Sequence, residues 1–119
     1  MLFKNPKHAE TYEKLLSRVE ANGYKRDFEV KPVMYLIALL SSDGWGNVAD
    51  LMFNFAERKI RPGVIDADWQ TGSTRRLTRL AFSLWNGFPS EEQGLCNVYN
   101  IFGNEWDPYF LQAIALRYS

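Results

Sequence analysis

Cysteine and histidine each occur once in this 119-residue sequence, as Cys96 and His8. A lone cysteine makes no internal disulfide, and no basic leader runs into an apolar stretch, so the chain is expected in a reducing cytoplasm. With one His and one Cys in different segments, a zinc site would need almost only carboxylates, which zinc proteins rarely use. No metal and no cofactor are therefore expected. Nucleophilic catalysis through Ser or Cys needs a base oriented by a third group, and no Gly-x-Ser-x-Gly elbow is present to supply the local geometry. On this reading no catalytic residues are assigned. His8 reads as a first-turn surface residue and Cys96 as a small buried hydrophobe ahead of a helix.

Net charge is also missing: fourteen basic residues cancel fourteen acidic ones. That excludes the broad positive field of sequence-independent nucleic-acid or anionic-membrane binding, and leaves only a local patch. The most apolar run, Val33 to Leu40, is far shorter than the ~20 residues of a membrane span. No repeat or low-complexity stretch interrupts the chain. One core over residues 1–119 is the expectation.

Apolar and aromatic residues are plentiful, at 46% and 15%, enough to form a core without staples. Asn5 and Pro6 suit a helix N-cap and first position, and Ala9, Tyr12, Leu16 and Val19 follow at helical spacing until Asn22 and Gly23. Pro32 opens a second segment to Leu40 that is apolar on every face; Met, Leu and Ala favour helix there over a buried strand. Asn47 can cap a third helix with Val48, Leu51, Met52 and Phe55 on one face, fading near Lys59. Residues 60–73 form a long connection ending in a cap at Ser73. The helix from Thr74 to Asn86 carries an apolar arc of about 200°, which implies neighbours on more than one side and a central position. An acidic loop at Pro89–Gly94, a short helix at Val98–Phe102 and a last helix from Asp107 and Pro108 complete the chain. The expected fold is all-α, an irregular bundle of five to six short helices in a single domain.

The stretch Trp69-Gln70-Thr71-Gly72-Ser73-Thr74-Arg75-Arg76, with Arg79 beyond, is the most function-like. A glycine-containing turn brings backbone N–H groups and guanidiniums to a helix start, which suits an anion or an acidic partner. Arginines so early in a helix oppose its macrodipole, and pairing with Asp66, Asp68 or acidic groups in residues 87–107 would explain them without a ligand. A second cluster, Arg58, Lys59 and Arg61, would complement the negative end of the third helix. If it shared a face with the first cluster and an exposed Trp69, a nucleic-acid groove or a hot spot for an acidic partner would result. Asp66 with Asp68, or Glu91 with Glu92, could serve as acid and base, although surface loops ordinarily hold such pairs.

The run from Ala67 to Gly87, together with Phe53-Asn54-Phe55, Ile60-Arg61-Pro62 and Asn97-Val98, resembles a family of small proteins of unknown function from Firmicutes and their phages or mobile elements. The resemblance implies bacterial or phage origin, cytoplasmic residence and an accessory role on a host component, counter-defence inhibition included. It brings no activity or ligand. The leading expectation is a non-enzymatic interaction protein presenting Trp69, Gln70, Ser73, Arg75, Arg76 and Arg79, with Arg58, Lys59 and Arg61, to a protein partner. The alternatives are a small nucleic-acid-binding protein using the same Arg/Lys patch, and an Asp66/Asp68 hydrolase or transferase.

Overall fold

The computed structural model describes residues 1–85 and 98–118. Its elements run α1 (Pro6–Ala21), α2 (Val30–Leu40), a π-type turn (Ser41–Trp45), α3 (Ala49–Met52), β1 (Phe53–Asn54), β2 (Lys59–Ile60), a 3-10 turn (Pro62–Asp66), α4 (Gly72–Leu84), α5 (Val98–Ile101) and α6 (Asp107–Tyr118). The fold is all-α apart from one short hairpin.

α1 begins and ends where its residue types dictate. The Asn5 side chain accepts from the His8 amide at 2.8 Å and Pro6 fills the first position. At the other end Gly23 takes φ 89°, its amide reaching Glu20 O and the Tyr24 amide reaching Val19 O. These are the two bonds of a Schellman termination, which needs the left-handed residue that glycine supplies. Tyr12, Leu15, Leu16 and Val19 are buried along one stripe.

α2 is helix and not strand, and it is the true centre of the molecule. Every residue from Pro32 to Leu40 is buried, with α1, α4 and α6 packed around it. A helix apolar on all sides is stable only when surrounded in this way. It starts two residues before Pro32, because Asp27 Oδ1 accepts from the Glu29 and Val30 amides. Pro32 then sits in the first turn, where its missing N–H costs nothing.

The third helix is the main departure from the sequence reading. It ends at Met52, and Asn47 does not cap it; Val48 precedes it with no side-chain cap bond. Phe53 and Asn54 instead pair antiparallel with Ile60 and Lys59. Asn54 Oδ1 accepts from the Glu57 amide at 3.0 Å, and Arg58 takes φ 53°. The Asx-type turn and the β-forming Phe-Asn-Phe run override the helical spacing. Leu51, expected in the core, is 50% exposed.

α4 starts earlier than expected, at Gly72. Its apolar arc is buried at Leu77, Leu80, Ala81, Phe82 and Leu84, against α2, α5 and α6. It therefore has neighbours on several sides, although α2 is more central. α6 begins at Asp107 as expected, its carboxylate accepting from the Gly103 and Asn104 amides. Residues 86–97, which hold the expected acidic loop, Glu91, Glu92 and Cys96, lie outside the described residues. Among the described residues, no helix is long and apolar enough to cross a membrane.

Candidate functional site

The start of α4 is closed by its own side chains. Thr71 Oγ1 accepts from the Thr74 amide at 3.2 Å, and the Thr71 amide donates to Thr74 Oγ1 at 2.7 Å. This reciprocal box satisfies two of the orphan donors that an anion would otherwise take. The cap is thus Thr71, and Ser73, expected in that role, is an exposed first-turn residue.

Gln70 and two of the arginines also serve the fold. Gln70 is buried, its amide nitrogen donating to Val64 O at 3.0 Å and to Thr78 Oγ1 at 3.1 Å. Arg75 Nε donates to Ile65 O at 3.0 Å, and Arg76 donates to Phe102 O at 2.8 Å. Among the described residues neither makes an ion pair with Asp66, Asp68 or another carboxylate, and the suggested partners within residues 87–97 lie outside the described residues; both arginines bind carbonyl oxygens of turns that have no helical partner for them. Arg79 is half-buried on the same helix.

The second basic cluster is split by the hairpin, and the helix end it was expected to complement does not exist. Arg58 is paired with Asp27 and, at 3.6 Å, with Glu29, and its guanidinium lies 4.9 Å from the Trp85 ring. Lys59 is exposed and pairs with Glu57 at 2.7 Å. Arg61 is exposed, its amide donating to Met52 O at 2.9 Å.

Two of these cations nevertheless meet Trp69. Leu51, Lys59, Ile60, Arg61, Pro62, Gly63, Val64, Ala67 and Trp69 line an open groove of about 530 Å³ between α3, β2 and the 3-10 turn. Its floor is apolar, and its charged lining residues are Lys59 and Arg61. Trp69 is half-buried, and its ring centre lies 5.8 Å from that of Trp45, also half-buried. Sequence reasoning does not assign Trp45, Leu51 or Pro62 to the site: Trp45 and Pro62 carry no local signal of their own, and Leu51 falls on the apolar face of the expected third helix. The constellation of exposed Leu51 and Arg61 with half-buried Trp69 needed the hairpin to bring it together.

Asp66 and Asp68 are exposed. Among the described residues no cluster of three or more His, Cys, Asp or Glu side chains is placed to hold a metal ion. His8 is not on the surface: it is fully buried between α1 and α2, with Nε2 3.0 Å from Tyr35 O and Nδ1 3.1 Å from the Lys4 amide. Burial, and secondarily the Lys4 charge, hold its pKa below the ordinary histidine value, against the opposing effect of the Tyr35 carbonyl.

A family model spanning residues 1–119 matches this chain. The chain belongs to the family of unknown function DUF6075. No curated protein and no solved structure matches it. The DUF6075 match covers the groove-forming residues 51–69 and the α4 start alike.

Proposed function

We propose that the chain is a non-enzymatic interaction protein that docks a protein partner in the groove between α3, β2 and the 3-10 turn. The observation that carries this reading is the groove itself: an apolar floor, an exposed Leu51, and Trp69 and Arg61 at its walls. Trp and Arg are the side chains over-represented among interface hot spots, where an apolar anchor and a directional cation are needed together. The complementary partner segment presents an apolar side chain next to a carboxylate, since the groove's charged lining residues are both cations. Arg75 and Arg76, engaged on backbone carbonyls, fit a supporting role, so the docking surface moves from the Trp69–Arg79 helix face towards Arg61 and Leu51.

The resemblance of the Ala67–Gly87 run to proteins of Firmicutes and their mobile elements supports a bacterial or phage accessory protein acting in the cytoplasm, with a host component as the partner. Trp69 beside Lys59 and Arg61 also favours a second reading, stacking and phosphate contacts on single-stranded nucleic acid. It has less support, because Arg58, Arg75 and Arg76 are committed within the fold.

The test is affinity capture from a bacterial lysate, with and without nuclease, comparing the wild type with Trp69→Ala/Arg61→Glu. A protein retained after nuclease and lost from the folded double variant supports the reading. Capture unaffected by the variant overturns it, and capture abolished by nuclease transfers the groove to nucleic acid.

A further inference from the structure

Residues 1–4, ahead of the Asn5 cap, form a strap across one end of the bundle, and four polar contacts hold it. The Leu2 amide donates to Gln112 Oε1 at 2.8 Å, and Tyr35 Oη donates to Leu2 O at 2.6 Å. The Lys4 ammonium pairs with Asp43, and the Lys4 amide donates to His8 Nδ1 at 3.1 Å. Between these points the Phe3 ring covers the rings of His8, Tyr12 and Tyr35, with centres 5.1, 5.7 and 5.9 Å away.

The contact to His8 differs from the others because its chemistry depends on one proton. A backbone amide can only donate, so Nδ1 must carry a lone pair. The proton then sits on Nε2, which donates to Tyr35 O at 3.0 Å. The neutral imidazole is thereby fully used, and the hydrogen bonds assign its tautomer. Protonation turns Nδ1 into a donor facing the Lys4 N–H, replacing an attraction by a repulsion in a fully buried site. Among the described residues the groups around the ring offer no relief. Lys4 on the strap is cationic, Tyr12 on α1, Tyr35 on α2 and Tyr109 on α6 are neutral phenols, and Asp43, beyond α2, is already engaged by Lys4.

We propose that His8 is an acid-sensitive latch: its neutral ring fastens the strap of residues 1–4, and its protonation releases the strap and uncovers the Tyr12 and Tyr35 rings that Phe3 covers. This is independent of the groove. The device reports acidification below the range of an ordinary histidine, because burial disfavours the charged ring and the proton is taken up only when the Lys4 contact is given up.

His8 is the sole histidine, so its ring resonances titrate unambiguously in an NMR series from about pH 7.5 to about 4.5. The expected result is at least a tenfold rise in solvent exchange of the Lys4 amide, corrected for its intrinsic rate, over the range in which His8 titrates, while α2 and α4 amides keep their protection. In His8→Gln, whose side-chain amide can repeat both hydrogen bonds without titrating, strap exchange becomes independent of pH. If His8 titrates with no change at Lys4, or the strap opens only when every helix does, the latch is refuted. The wild-type series decides this even if His8→Gln does not fold.

Discussion

The Arg76 guanidinium donates to the Phe102 carbonyl, twenty-six positions along the chain, at 2.8 Å. α5 is only four residues long, too short to satisfy its own terminal carbonyls, and α4 supplies the missing donor. Arg76→Ala removes a charged donor from a half-buried acceptor and should cost about 1 kcal/mol in urea unfolding. Amide exchange in α5 should quicken by more than exchange in α2. Unchanged stability with unchanged α5 exchange would show that the contact is merely a solvated one.

Thr71 and Thr74 close the start of α4 reciprocally. Thr71→Ala should cost about 1 kcal/mol, whereas Thr71→Ser, which keeps the accepting hydroxyl, should be close to neutral. Ser73→Ala, by contrast, should lie within about 0.5 kcal/mol of the wild type, as surface changes do. A larger loss at Ser73 than at Thr71 in chemical denaturation would restore Ser73 as the cap.

Signals local in sequence were legible: the Asn5-Pro6 start and Asn22-Gly23 stop of α1, the Asp107 start of α6, and the helical nature of Val33–Leu40. Each depends on hydrogen bonds within a few residues or on composition alone. The failures share one cause, competition settled by tertiary structure. Val48, Leu51, Met52 and Phe55 keep helical spacing, yet Phe53 and Asn54 gain more by pairing with Ile60 and Lys59. His8 is a polar residue in a first turn, and only the arrival of Tyr35 and Lys4 makes its burial tolerable. The candidate site was half legible: Trp69, Lys59 and Arg61 were singled out, while Leu51 and Trp45 were not, because their placement follows from the hairpin and the Ser41–Trp45 turn.

Leu36 and Leu51 separate folding from docking. Leu36 is fully buried in α2 and Leu51 half exposed beside the groove. Leu36→Ala should cost about 2–5 kcal/mol, lost transfer energy plus a residual cavity. Leu51→Ala should change stability by less than about 0.5 kcal/mol yet weaken partner capture. Thermal and urea melts check the first statement and the capture assay the second; a Leu51→Ala protein that melts as badly as Leu36→Ala would place Leu51 in the core.

Stability should fall with acid in two steps of the same sign. Burial holds the His8 pKa below its ordinary value, so the unfolded chain takes up a proton near pH 6.5 while the folded chain does not, and stability declines below about pH 6.5. Hydrogen bonds from Arg18 and Lys59 hold the Asp50 and Glu57 carboxyls below their usual range. Their contribution is present above the unfolded carboxylate range and is lost as pH falls through the lowered folded values. The urea midpoint should therefore begin to drop below about pH 6.5 with His8 and drop further, below about pH 4, with the carboxylates. His8→Gln should abolish the first step only. A midpoint flat from pH 7 to 5 in the wild type would mean that His8 is protonated as easily inside the fold as outside it.

Arg58 takes φ 53° in the hairpin turn, a conformation that costs a side-chain-bearing residue about 1–2 kcal/mol. Its guanidinium offsets that cost by meeting Asp27, Glu29 and the Trp85 face. Arg58→Gly and Arg58→Ala lose those contacts equally, but only alanine keeps the strained backbone without compensation. Arg58→Ala should accordingly be less stable than Arg58→Gly by about 1 kcal/mol, the reverse of their order inside a helix. Urea unfolding of the two variants side by side reads this difference directly. Alanine proving the more stable would mean that the Arg58 turn is helical in solution and that the third helix runs on past Met52.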